Sequence, residues 1–241
     1  MTVTASAIPM LSDNYAWMLT EADSGAVALV DPAEAAPAIA AIEAAGGRLD
    51  VIFLTHHHLD HIGGVAELVA RYHPRVVGNA GDAHRLPPLG LAVHDGDVVP
   101  FGAAMARVMT VPGHTLGHTA YYIAEGGILL PGDTLFSLGC GRLFEGTAED
   151  MFSSLQKFKD LPDETLVCAG HEYTASNAKF ALSVDPDNAA LRARAEEVDA
   201  LRALGKATLP VTLASERATN PFLRALDAAA LGRLRAAKDV Y

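Results

Sequence analysis

The segment Thr55-His56-His57-His58-Leu59-Asp60-His61 places four imidazoles and one carboxylate in seven consecutive positions. Imidazole nitrogen and carboxylate oxygen are donors for borderline divalent cations, and so dense a run converges on one point only if the backbone turns. It is not the i, i+4 pairing of a helical zinc motif. It follows directly on the apolar run 49–55, which reads as a strand, so its donors are expected on a loop at the strand's end. Three further apolar runs end in the same way: 108–111 leads into Pro112-Gly113-His114, 128–130 into Pro131-Gly132-Asp133, and 166–169 into Gly170-His171. Architectures that mix strands and helices collect functional groups at the carboxyl ends of strands, so four such ends are expected to meet at one rim. The glycine before each donor allows a tight turn without a Cβ penalty.

His56, His58, His114, Asp60, His61, His171 and Asp133 together offer five imidazoles and two carboxylates, more than one tetrahedral ion uses. Two divalent ions about 3.5 Å apart, sharing one carboxylate and one water, account for the whole set. His57 is expected to point away from the metals and His118 to support a ligand, not to be one. His73, His84 and His94 stand outside the pattern.

The elements that must position these groups follow from the apolar pattern. Runs at 26–30, 49–55, 75–78, 105–111, 120–123, 128–130 and 165–168 read as strands, and 125–127 as a hairpin turn. Helical stretches are expected at 34–45, 64–72 and 148–159, each ended by glycine or proline. The mixture implies an α/β (α+β) fold with sheets covered by helices. After about Tyr173 the β-branched runs stop, and helices are expected at 188–204 and 227–238. A catalytic domain over 1–172 and a small helical domain over 173–241 are therefore expected.

A chain of 241 residues, 50% hydrophobic, buries a full core. No run approaches the roughly 18 apolar residues of a membrane span. The first basic residue is Arg48, so no secretory leader is expected and the cytoplasm is the expected location. Cys140 and Cys168 are expected to be free thiols, packing as small hydrophobes. The net charge of -11 argues against a nucleic-acid partner. The charge is uneven: residues 1–141 carry 5 Lys+Arg against 14 Asp+Glu, and residues 142–241 carry 13 against 15. Positive charge is thus concentrated late in the chain.

His56 to His61 match in full the signature H-x-H-x-D-H, and on these residues the chain resembles the metallo-β-lactamase superfamily, whose fold is an αββα sandwich. The likeness extends to the hydroxyacylglutathione hydrolases (glyoxalase II) through Ser12-Asp13-Asn14-Tyr15, Pro112 to His118, Gly132 to Phe136, Gly139-Cys140-Gly141-Arg142, Glu145-Gly146-Thr147, Gly170 to Thr174 and Asn220 to Arg224. The resemblance implies that His56, His58 and His114 hold one ion, that Asp60, His61 and His171 hold the other, and that Asp133 bridges them. It implies hydrolysis of S-lactoylglutathione to glutathione and D-lactate, the second step of methylglyoxal detoxification. A hydroxide shared by the two ions would attack the carbonyl, and Asp60 would orient it or take its proton. Zinc is the first expectation, with iron and manganese open. The glutathione moiety would be held by Arg142, Tyr173, Arg235 and Lys238, with Phe144 where relatives carry a tyrosine. Phe144 packs but donates no hydrogen bond.

The resemblance leaves rivals. A mononuclear iron persulfide dioxygenase of this fold is disfavoured by the basic C-terminal helix. A diiron electron-transfer module would carry a carboxylate at position 58 and an added flavin domain. A non-catalytic metal-binding protein would have no need of the full donor set. A monomer is expected, with no membrane partner.

Overall fold

The computed structural model describes residues 2–241. Its first sheet has six strands in sequence order, β1 (Val3–Met10), β2 (Asn14–Glu21), β3 (Val27–Val30), β4 (Val51–Phe53), β5 (Arg75–Asn79) and β6 (Leu91–Val93). Pairing is antiparallel from β1 to β3 and parallel from β3 to β6. Helices α1 (Ala35–Ala44), α2 (Leu59–Ile62) and α3 (Val65–Tyr72) lie in the connections. The second sheet contains β7 (Val98–Phe101), β8 (Ala104–Thr110), β9 (Thr119–Ile123) and β10 (Ile128–Gly132), and is completed by β13 (Leu166–Ala169) and β14 (Val211–Thr212). Between its parts a small hairpin, β11 (Leu135–Phe136) and β12 (Gly139–Cys140), precedes α4 (Ala148–Gln156). The remaining helices are α5 (Thr174–Val184), α6 (Ala189–Ala203), α7 (Leu213–Thr219) and α8 (Ala228–Asp239).

Period-two alternation decides which face each strand buries. On β2, Tyr15, Trp17 and Leu19 enter the core between the sheets, while Ala16 and Met18 join the cluster under α1 and α3 with Ile42, Leu54 and Leu68. On β4, Val51 and Phe53 face inward and Ile52 faces the helices. Several hydrogen bonds cross the sandwich. Trp17 Nε1 donates to the Ala169 carbonyl at 2.9 Å, and the Tyr121 hydroxyl donates to the Leu54 carbonyl at 2.9 Å. The strand that delivers the histidine loop is thereby bolted to the opposite sheet one residue before that loop begins.

The expected strands all appear, and residues 124–127 connect β9 to β10 with Gly127 at φ +58°. The sequence reading contains no strand at β1 or β2 and no helix at α5. β1 carries Pro9 and the run Ala5-Ser6-Ala7 of weak strand formers, and as an edge strand its only strand partner among the described residues is β2, so tertiary contact, not propensity, forms it. β14, from the late part of the chain, pairs antiparallel with β13. A separate cluster of Leu138, Ala178, Ala181, Leu191 and Ala195 packs α5 and α6 against the β11–β12 turn.

Candidate metal centre and cleft

The ends of β4, β8, β10 and β13 carry His56, His114, Asp133 and His171 to one rim. Donor atoms of His56, His58 and His114 all lie within 4.8 Å of one another, and so do those of Asp60, His61 and His171. In the first group His58 Nδ1 is 3.0 Å from His56 Nε2 and 3.1 Å from His114 Nε2. In the second, His171 Nε2 is 3.3 Å from His61 Nε2 and 3.4 Å from Asp60 Oδ2. Asp133 stands between them, with Oδ1 3.4 Å from His61 Nε2 and Oδ2 3.5 Å from His114 Nε2 and 3.4 Å from His171 Nε2.

Each imidazole except His58 has its far nitrogen occupied, which fixes both tautomer and ring direction. His61 Nδ1 donates to Asp31 and His171 Nδ1 to Asp13, both at 2.9 Å. His114 Nδ1 donates to the Arg142 carbonyl at 2.9 Å. The Thr55 hydroxyl donates to Asp31 at 2.6 Å, leaving its lone pairs to accept from His56 Nδ1 at 3.0 Å. In all four rings the hydrogen bond at Nδ1 turns Nε2 inward as the nitrogen available to a cation. Asp31 is close enough to His56 and His61 to count as a third donor group, but its oxygens accept from Thr55 and His61 Nδ1, so it orients ligands and does not replace one.

The two groups differ electrostatically. Burial, with the neighbouring imidazoles of His114 and His57, pushes the His58 imidazole down to about 4, and burial also lowers His56 and His114. Burial opposes charge on His61 as well, yet Asp133, Asp31 and Asp60 bring its imidazole up to about 9. Although buried, Asp133 is held far below the usual carboxylate range by His61 and His171. Its Oδ1 has no hydrogen-bond partner despite being buried, a costly condition that a bound cation would relieve. The donor chemistry and this orphaned oxygen fit a divalent metal site.

His57 points away from the centre, toward Asp82 at 3.2 Å. His118 is buried and its Nε2 accepts from the Asp133 backbone N–H at 3.1 Å, so it supports the strand end and donates nothing to the rim. Both thiols are free and buried.

A cleft of about 730 Å³ opens on the centre and is lined by His58, Asp60, His114, Asp133 and His171 at one end and by Arg142, Lys179, Arg235, Lys238 and Tyr241 at the other. Tyr173 stacks on His171 at 4.6 Å, and Phe144 covers His114 at 5.2 Å and His58 at 5.8 Å. The four cations expected or found here are not alike. Arg142 is exposed and lies 3.6 Å from Asp239. Lys238 Nζ donates to the Ser176 carbonyl and hydroxyl at 3.0 Å. Arg235 is buried, donating to the Cys140 carbonyl at 2.8 Å and pairing with Asp239 at 3.0 Å while its guanidinium covers Phe222. Lys179 and Tyr241 were not singled out from sequence, and neither were the orienting carboxylates Asp13 and Asp31. Asp13 had a signal in the segment Ser12-Asp13-Asn14-Tyr15, whose Asn14 also donates to Asp60 Oδ2 at 3.2 Å.

Residues 12–171 match the metallo-beta-lactamase superfamily, and residues 172–241 match the hydroxyacylglutathione hydrolase C-terminus. A hydroxyacylglutathione hydrolase from Acidiphilium cryptum is 56% identical over 238 residues, covering 99% of this chain and 97% of that one. Among solved structures, ETHE1 from Myxococcus xanthus shares the fold, with a TM-score of 0.74 at 23% identity over 98% of this chain and 90% of that one. TTHA1623, solved in a di-iron-bound form, is 28% identical with a TM-score of 0.60 over 70% of this chain and 91% of that one.

Proposed function

The chain belongs to the hydroxyacylglutathione hydrolases of the metallo-beta-lactamase superfamily, and from that premise we propose that His56, His58 and His114 hold one divalent ion, that Asp60, His61 and His171 hold a second, and that Asp133 spans both. The protein is a hydrolase of glutathione thioesters. The substrate we assign is S-lactoylglutathione, giving glutathione and D-lactate in the second step of methylglyoxal detoxification, with zinc as the proposed ion and iron or manganese as substitutes the donor set accepts. The observation that carries the binuclear reading is Asp133, whose Oδ2 lies 3.5 Å from His114 of one group and 3.4 Å from His171 of the other, while its buried Oδ1, 3.4 Å from His61, has no hydrogen-bond partner.

Divalent ions bound here supply Lewis acidity and bring a water's pKa toward neutrality. The chain's own groups do the rest. Asp60 Oδ2, half-exposed to the cleft and held by Asn14 Nδ2, orients the attacking water and takes its proton. A thiol of ordinary pKa, about 8.5, leaves as thiolate, so the reaction asks no general acid of the protein. Arg142, Arg235 and Lys238 attract the carboxylates of glutathione, and Tyr173 and Phe144 wall its peptide.

Residues 1–172 are proposed as the catalytic domain and 173–241 as the substrate-binding domain. The proposed setting is the cytoplasm, supported by two unpaired thiols, and the proposed active form is the monomer. No described helix is long and apolar enough to cross a membrane. The test is hydrolysis of a panel of glutathione thioesters with metal analysis of the same sample. Two ions per chain and turnover of the lactoyl ester are expected. A single iron with dioxygen consumption on glutathione persulfide would replace this reading with the dioxygenase.

A further inference from the structure

Glu145 and His57 adjoin the cleft-lining residues Phe144 and His58 in the chain, yet neither enters the metal centre, and both converge on Arg85. The Arg85 guanidinium donates from Nη1 and Nη2 to the two oxygens of Glu145, and from Nε to Asp82 at 2.5 Å. His57 Nε2 lies 3.3 Å from Arg85 Nη1, and His57 Nδ1 faces Asp82 Oδ2 at 3.2 Å. Glu145 Oε2 also accepts the Leu116 N–H at 2.8 Å. One guanidinium thus joins the histidine loop, the 79–86 loop and the 139–147 segment, and through Glu145 the loop that carries His114.

What this lock restrains is the segment 142–146. Its main-chain hydrogen bonds go to the His114 loop, through the Arg142 carbonyl, which accepts from His114 Nδ1, and the Gly146 N–H, which donates to the Gly113 carbonyl at 3.0 Å. A Cβ at Gly146 would fall 2.7 Å from Gly113 Cα, so the two loops touch backbone to backbone. Between those ties the segment presents Arg142 and Phe144 to the cleft. The ion pair also holds the Glu145 carboxyl down to about 2.

We propose that Arg85 is a positioning residue for substrate, its fork on Glu145 setting Arg142 and Phe144 against the mouth of the cleft while His57 and Asp82 hold the fork in plane. The inference rests on reading Arg142 and Phe144 as substrate contacts. A planar fork on a carboxylate fixes direction as well as distance, which an ammonium would not.

The test is a kinetic cycle with metal analysis on the metal-replete enzyme. Arg85→Ala and Glu145→Gln should each raise KM for a glutathione thioester by about tenfold, with kcat within about threefold and metal content unchanged. The double variant should be no worse than either single one, because both remove one interaction. Arg85→Lys, which keeps the charge but not the fork, should fall between wild type and Arg85→Ala. Millimolar guanidinium ion should lower KM in Arg85→Ala and not in Glu145→Gln. Unchanged KM in both single variants, multiplicative effects in the double, or loss of metal from Arg85→Ala would each overturn the proposal. If Arg85→Ala fails to fold, Arg85→Lys and Glu145→Gln carry the same cycle. Arg142→Ala separates the two readings: a raised KM there with normal KM in Arg85→Ala defeats the lock alone, and normal KM in Arg142→Ala defeats the substrate reading on which it rests.

Discussion

The two ends of the cleft are built on different principles. At the metal end the donors stand at strand ends and on the turn after β4, most are buried, and four of the five imidazoles have a bonded partner behind the ring. At the cation end the groups come from the 139–147 segment and from α5 and α8, and they range from the buried Arg235 to the exposed Arg142 and Lys179. The difference teaches that the donor geometry is held by sheet closure, while the cations are presented by helices and a loop segment with widely differing exposure. Even the metal end is graded: His56 and His114 lean on neutral oxygens, whereas His61 and His171 lean on carboxylates, which raises their affinity for charge.

The largest effect is expected from Asp133→Ala. Removing the carboxylate between the groups should deplete both ions together and cut kcat by more than about a hundredfold, since even partners one shell further out typically cost ten- to a hundredfold. His171→Ala should instead empty chiefly the carboxylate-rich group. Retention of two ions per chain by Asp133→Ala, measured by elemental analysis, would break the idea of a shared ligand.

Next in size is the carboxylate behind His61. Asp31→Asn should weaken metal binding in the Asp60–His61–His171 group by about tenfold or more and disturb the other group less. The pH dependence has a definite sign. His61, raised to about 9 in the metal-free chain, is protonated at neutral pH and must lose that proton to bind a cation, whereas His58, near 4, is already neutral. As pH falls below about 9, protons therefore compete at the second group first, because burial holds all three imidazoles of the first group below their usual range. Metal retained after dialysis at a series of pH values checks this. Loss from the three-imidazole group first would reverse the grading.

The cation end should respond more mildly. Lys238→Ala is expected to raise KM by about tenfold with little change in kcat, and added salt should imitate it by screening. Arg235→Ala should raise KM and also destabilise the fold by about 1–3 kcal/mol, because its removal leaves the Cys140 carbonyl without its donor. Thermal denaturation of the two variants distinguishes them, and equal melting temperatures would show that the buried strut contributes nothing. The smallest effect concerns acid. Glu145 titrates at about 2 when folded against 4.5 in its ordinary state, so its contribution to stability is complete above about pH 4.5 and is lost as the pH falls toward 2. Glu145→Gln should flatten the acid limb of a stability curve over that window.

The sequence by itself determined the donor set and the strand ends that carry it. His56 to His61 follow an apolar run within a few residues, and His114, Asp133 and His171 each repeat that local pattern, so periodicity and turn chemistry disclosed them. The late concentration of positive charge was legible for the same reason, since it needs only counting. What only the tertiary structure decided are the contacts between residues far apart in the chain. Asp13 and His171 are 158 positions apart and Asp31 and His61 are 30, and no local pattern announces that a carboxylate will close behind a particular ring. The strand β1 exists because β2 offers it a partner, and β14 reaches back from the helical part of the chain to extend the second sheet. Arg235 and Lys238 read alike as basic positions on one helix, and only the packing of α8 decides that the first becomes a buried strut on the Cys140 carbonyl while the second stays at the surface. Short-range preferences are written in neighbouring residues, but burial and partner choice depend on which distant segments the folded chain brings together.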